Sequence, residues 1–114
     1  MAVYVSNIII NCGADFRTIF ELEDVLTNST TNLTNKIVKS QLRKHYKSKT
    51  AVNFDAAVVG NPIYGKVQVS LASSITSGLR GGRYLYDVVL EDSLSGEKTR
   101  IVEGSALVRE GVTS

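Results

Sequence analysis

Through most of this chain apolar side chains fall on every second residue, the period that puts them on one face of a β-strand. Val3 to Ile10 is the first such stretch. In the second, Phe16, Thr18, Phe20 and Leu22 share a face while Arg17, Glu21 and Glu23 are spaced to meet solvent, the pattern of a half-buried antiparallel strand. Asn11-Cys12-Gly13-Ala14-Asp15 reads as a tight connection between them, because Gly accepts backbone angles that branched residues resist and Asn or Asp bonds nearby amides. The first two strands are therefore expected to be neighbours.

The polar stretch Thr27 to Asn32 marks a loop, since its side chains compete for backbone hydrogen bonds. Lys36 to Tyr46 is ambiguous: Val38, Leu42 and Tyr46 fit a helical stripe, and Val38, Ser40, Leu42 and Tyr46 fit a strand face. A strand is the better reading, because every other segment is β and a lone helix would need its own packing partner. Phe54, Ala56 and Val58 predict a further strand, ended by Gly60-Asn61-Pro62, where proline removes an amide. Val67, Val69 and Leu71 then alternate cleanly with Lys66, Gln68 and Ser70.

Ser73 to Leu79 predicts one helical turn bridging two sheets, with Ser73 or Ser74 as its cap and Gly81-Gly82 as its end. Tyr84, Tyr86, Val88 and Leu90 share one face of the next strand, and Ser93-Leu94-Ser95-Gly96 supplies a hairpin turn. The last strand runs from Lys98 to Val108, with a bulge or change of sheet expected near Glu103-Gly104. About seven strands joined by short turns predict an all-β antiparallel sandwich of the immunoglobulin kind. At 114 residues, the chain is expected to form a single domain over 1–114.

Composition changes this picture little. Apolar residues make up 43% and charged residues 21%, ordinary globular usage, so neither disorder nor a fibrous repeat is indicated. No apolar run approaches the roughly twenty residues of a membrane-spanning helix. The first residues lack the basic and continuously apolar segments of a secretory signal, which predicts synthesis in a cytoplasm and makes the glycosylation-type triplets at Asn28 and Asn32 chance matches. The lone Cys12 excludes an intrachain disulfide and reads as a small hydrophobe.

Charge is more informative in its distribution than in its sum. The net +2 is too small to announce a nucleic-acid binder. Between Val25 and Phe54, however, there is no Asp or Glu, and the span carries Lys36, Lys39, Arg43, Lys44, Lys47 and Lys49. A sector of one sign steers association with acidic surfaces, so Lys39, Arg43, Lys44, His45, Tyr46, Lys47 and Lys49 form the candidate interaction surface.

Candidate chemistry is scarce. His45 is the single histidine, which leaves no imidazole pair for a metal or a proton relay, and there is neither a nucleophile elbow nor a phosphate-binding Gly-rich loop. No catalytic, cofactor-binding or metal-binding residues are assigned, and the chain is not expected to be an enzyme. Asp87, Glu91, Asp92, Glu97 and Glu103 are read as a solvated face, and Tyr84 and Tyr86 as core packing.

Leu79-Arg80-Gly81-Gly82-Arg83-Tyr84-Leu85-Tyr86-Asp87-Val88, followed by Glu91-Asp92-Ser93, Thr99-Arg100-Ile101-Val102-Glu103-Gly104 and Val112-Thr113, resembles a signature of small immunoglobulin-like virion domains. These occur in tailed phages, especially contractile-tailed phages of cyanobacteria, and are similar to N-terminal modules of baseplate and fibre-adaptor proteins. Gly13-x-Asp15-Phe16 and Gln41-Leu42-Arg43-Lys44 fit the same layout, and the resemblance implies an Arg/Glu pair bridging neighbouring strands. It further implies a non-enzymatic structural protein of the virion, assembled in multiple or symmetric copies with other virion proteins in tail, baseplate or neck. A chain ending at Thr113-Ser114 carries no fibre region, which favours an adaptor or a capsid decoration protein over host recognition. A carbohydrate- or nucleic-acid-binding module is the rival from another class.

Overall fold

A computed structural model of the chain describes residues 4–24, 29–30, 32–45, 47 and 51–112. Their strands are β1 (Tyr4–Val5), β2 (Ile8–Asn11), β3 (Phe16–Glu21), β4 (Glu23–Asp24), β5 (Ser29–Thr30), β6 (Lys36–Arg43), β7 (Val52–Asn53), β8 (Asp55–Val58), β9 (Lys66–Leu71), β10 (Gly82–Asp92) and β11 (Lys98–Arg109). A 3-10 turn at Pro62–Tyr64 joins β8 to β9, and a four-residue helical turn, α1 (Ser73–Thr76), joins β9 to β10. The period-two pattern thus became strands, including the ambiguous β6, whose Val38, Ser40 and Leu42 face inward.

The strands form a large sheet ordered β1-β11-β10-β6-β7, with β2 also on β11, and a small sheet ordered β3-β9-β8. This is the strand arrangement of an immunoglobulin-type sandwich: β3, β9 and β8 take the places of strands B, E and D, and β6, β10 and β11 those of C, F and G. The core lies between the sheets. Val67 and Val69 of the small sheet and Val88, Ile101 and Val102 of the large one are inaccessible to solvent, and Phe54 sits between the rings of Phe16 and Tyr86.

Several expectations need correction. The first two strands are not neighbours: β2 pairs with β11, in parallel, while β3 pairs with β9 in the other sheet, so the sandwich is not purely antiparallel. A tight loop can cross between sheets as readily as it can close a hairpin, and local sequence does not distinguish the two. The stretch from Val3 to Ile10 is broken in two at Ser6-Asn7. Within the polar stretch from Thr27 to Asn32, Ser29–Thr30 pairs with Glu23–Asp24; Thr27, Asn28 and Thr31 lie outside the described residues. The turn α1 has no side-chain cap of its own. Its Ser73 amide donates to the Asp15 carboxylate, at 2.7 Å, from the loop after β2.

The bulge expected near Glu103-Gly104 lies at Ile101. Val88 pairs with Val102 and Val89 with Arg100, so Ile101 is the extra residue, and both Ile101 and Val102 turn into the core. Gly104 serves a different need: a Cβ there would collide with the Ser6 carbonyl, where the chain crosses between β1 and β2. That crossing is clasped by the Tyr86 hydroxyl, which donates to the Ser6 carbonyl, and by Asn7, whose side-chain oxygen accepts from the Ser105 amide at 3.1 Å.

Candidate functional site

The structure divides the predicted basic sector. Lys36 and Lys39 stand on β6 beside the acidic end of β10. Lys36 reaches Asp92 at 2.9 Å, and Lys39 reaches Glu91 at 3.2 Å, with Lys98 of β11 on the same carboxylate at 3.8 Å. The Asp92 carboxyl is held below its ordinary range, first by the Lys36 hydrogen bond and then by the amides of Leu94 and Ser95 in the hairpin turn. These charges form a paired lattice of three lysines on two carboxylates, so Lys39 belongs to the outer sheet face and not to the end of the sandwich.

Arg43, Lys44, His45 and Lys47 lie apart from that lattice, where β6 ends. Lys44, His45 and Lys47 are exposed, and Arg43, half-buried, donates to the Gln41 side chain. Lys44 places its ammonium 4.6 Å from the centre of the Tyr84 ring, a cation–π contact that fixes the loop against the start of β10. Tyr46 and Lys49 lie outside the described residues.

Sheet register brings further cations to the same end. Leu85 pairs with Arg43 and Gly82 with Val108, so the end of β6, the start of β10 and the end of β11 coincide. Arg80, Arg83 and Arg109, all exposed, therefore join Arg43, Lys44, His45 and Lys47. Two carboxylates stand close to this end and bond backbone: Asp15, after β2, accepts from the Ser73 amide, and Glu110 from the Gly81 amide at 3.2 Å. Sequence reasoning missed the three arginines because they lie 33 residues and more beyond Lys47 in the chain; their only local signal was their place in turns or at strand ends.

This end is rigidly built. Tyr84 donates its hydroxyl to the Arg80 carbonyl at 2.9 Å, the tyrosine-corner geometry expected where strand F begins. The buried Thr76 hydroxyl donates to the Ala14 carbonyl at 2.8 Å and accepts from the Gly13 amide at 3.1 Å, tying α1 to the loop after β2. The Cys12 thiol, half-buried, donates to the Leu79 carbonyl at 3.4 Å. Gly-Arg-Tyr-x-Tyr-Asp thus consists here of a turn, an exposed cation, a corner tyrosine and a core tyrosine.

On the outer face of the large sheet, Arg100 contacts Asp87 across the strands at 3.3 Å and Glu103 within β11 at 3.6 Å. The bulge at Ile101 makes the second contact possible, because residues three apart on a regular strand face opposite ways. The bridge between strands is accordingly made by Arg100 and Asp87, where the resemblance implied an Arg/Glu pair. An open depression of about 220 Å³ lies here, lined by Gln41, Arg43, Asp87, Arg100 and Glu103. It is smaller than ordinary ligand pockets, which span roughly 300–1,000 Å³. Among the described residues, no group of three or more His, Cys, Asp or Glu could hold a metal ion, and no helix is long and apolar enough to cross a membrane.

No family model matches the chain, and no curated protein does. Among solved structures it is similar to InlP of Listeria monocytogenes, with 14% identity over 93% of this chain and 26% of that one, and a TM-score of 0.43. It is also similar to a family 123 glycoside hydrolase from Clostridium perfringens, with 10% identity over 100% of this chain and 24% of that one, and a TM-score of 0.45. The chain spans about a quarter of the length of each. At these values neither likeness bears on function.

Proposed function

We propose that this domain is a non-enzymatic docking module of a tailed-phage particle, used in multiple copies as an adaptor in tail, baseplate or neck. The observation that carries this reading is the basic end, where Arg43, Lys44, His45, Lys47, Arg80, Arg83 and Arg109 converge on one end of a rigid sandwich. Such an end suits contact with an acidic neighbouring subunit, because a preponderance of charge of one sign steers encounter and fixes orientation. The resemblance of the Leu79 to Val88 and Thr99 to Gly104 segments to virion domains supplies the context.

Purified protein added to isolated tails and to genome-free heads of the parent phage, imaged by cryo-electron microscopy, tests it. Density on the tail supports the adaptor role, and Lys44→Glu/Lys47→Glu should abolish it. Density on the shell replaces that role with capsid decoration. Binding to neither, together with salt-sensitive binding of DNA or glycan by the isolated protein, replaces both with a ligand-binding module.

A further inference from the structure

The edges of a sheet carry unpaired backbone groups, and proteins blunt them with short strands, kinks, prolines or charges. Most edges here are blunted. On the large sheet, β7 has two residues and the β1–β2 edge is broken at Ser6-Asn7; on the small sheet, β8 has four residues. The exception is β3, six residues in unbroken register with β9, with no proline and no bulge. Among the described residues nothing pairs with its other side.

The direction of its free groups follows from the register. Leu22 and Gly65 lie opposite each other, and the Leu22 amide donates to the Gly65 carbonyl at 2.8 Å, so this is a hydrogen-bonded pair. Alternation then points the amides and carbonyls of Phe16, Thr18 and Phe20 toward β9, and those of Arg17, Ile19 and Glu21 toward the open edge. The side chains of the same three residues stand exposed on the outer face, with Ile19 half accessible.

We propose that β3 pairs with β3 of a second copy, antiparallel, about a two-fold axis through Ile19. In this register Arg17 lies opposite Glu21 of the partner, Ile19 opposite the partner's Ile19, and Glu21 opposite the partner's Arg17. Every outward amide and carbonyl of the three residues finds a partner, two opposite-charge pairs flank the centre, and an exposed isoleucine is covered by its symmetry mate. The two small sheets become one continuous sheet. Shifting the register by two residues in either direction sets Arg17 or Glu21 opposite Ile19, loses both Arg17–Glu21 pairs and leaves the two Arg17 or the two Glu21 side chains as diagonal neighbours, so the charges favour the centred register. This contact uses the edge of the small sheet and holds independently of the phage context, so it and the docking role fail separately.

Sedimentation equilibrium over a concentration series, on purified full chain, tests it. The mass should rise from 12.4 kDa toward twice that value. Arg17→Glu and Glu21→Arg should each hold the protein at the monomer mass while leaving its circular dichroism unchanged, and the double variant Arg17→Glu/Glu21→Arg should restore the dimer. In a Cys12→Ser background, Ile19→Cys should cross-link to its own mate on oxidation, since opposed Cα atoms in a hydrogen-bonded pair lie about 5.5 Å apart, within disulfide range; Thr18→Cys should not. A mass of 12.4 kDa at every concentration overturns the proposal. A dimer indifferent to the charge reversals, or one that cross-links equally through Thr18→Cys, overturns the strand and register assigned.

Discussion

Tyr84 shows how much one side chain can fix. Its hydroxyl closes the corner by donating to Arg80, and its ring supports the Lys44 ammonium, so one residue couples the start of β10 to the loop after β6. Tyr84→Phe keeps the ring and removes the hydrogen bond, which should lower stability by about 1 kcal/mol and the thermal midpoint by roughly 4 °C, measured by calorimetry. Asp92 makes a pH-dependent contribution. Its folded carboxyl titrates below the ordinary value of about 3.9, so the stability it confers is present above that pH and lost as pH falls through the lower folded value. Asp92→Asn should therefore be less stable than the parent at neutral pH in urea denaturation, with the two curves converging under strong acid; a gap that persists there would assign the effect to the turn and not to the charge. The sequence marked Tyr84 and Tyr86 as core positions and Asp92 as part of a solvated face, but it did not show the partners Lys36, Arg80 and Ser6.

Among the elements, β11 is the most heavily constrained, because it carries β10 on one side and both β1 and β2 on the other. Its bulge keeps Ile101 and Val102 in the core and aligns Arg100 with Glu103, while Gly104 leaves room for the crossing at Ser6-Asn7. Gly104→Ala should push the crossing outward and cost roughly 2–3 kcal/mol. Hydrogen exchange should show the loss as faster exchange in the β2 amides, with the β6–β10 ladder still protected; equal loss in both would mean that the first strands are not a separable unit. The sequence pointed to an irregularity near Glu103-Gly104 because Gly104 interrupted the alternation and Ile101 and Val102 were both apolar. It could not tell a bulge from a close crossing, since the crossing backbone lies about a hundred residues earlier in the chain.

At the scale of the whole molecule, the sandwich separates paired charge at the hairpin end from a predominantly basic opposite end. Lysines from β6 and β11 meet the carboxylates of β10 around the hairpin end, while the opposite end gathers cations from three segments. Docking through the basic end should weaken steeply between low and physiological salt, whereas pairing through β3, built mainly on backbone hydrogen bonds, should respond far less; light scattering at the two ionic strengths separates them. The sequence by itself determined the longer strands, most of the turns and the all-β class, because alternation, glycine and proline act over a few residues and need no partner. It also marked the basic stretch from Lys36 to Lys49. Only the tertiary structure decided that β2 leaves β3 for β11, that Lys36 and Lys39 are paired with carboxylates, and that Arg80, Arg83 and Arg109 join Arg43 to Lys47. Those outcomes depend on which strands lie side by side, and pairing between strands dozens of residues apart is set by how the two apolar faces close on each other, not by any local pattern.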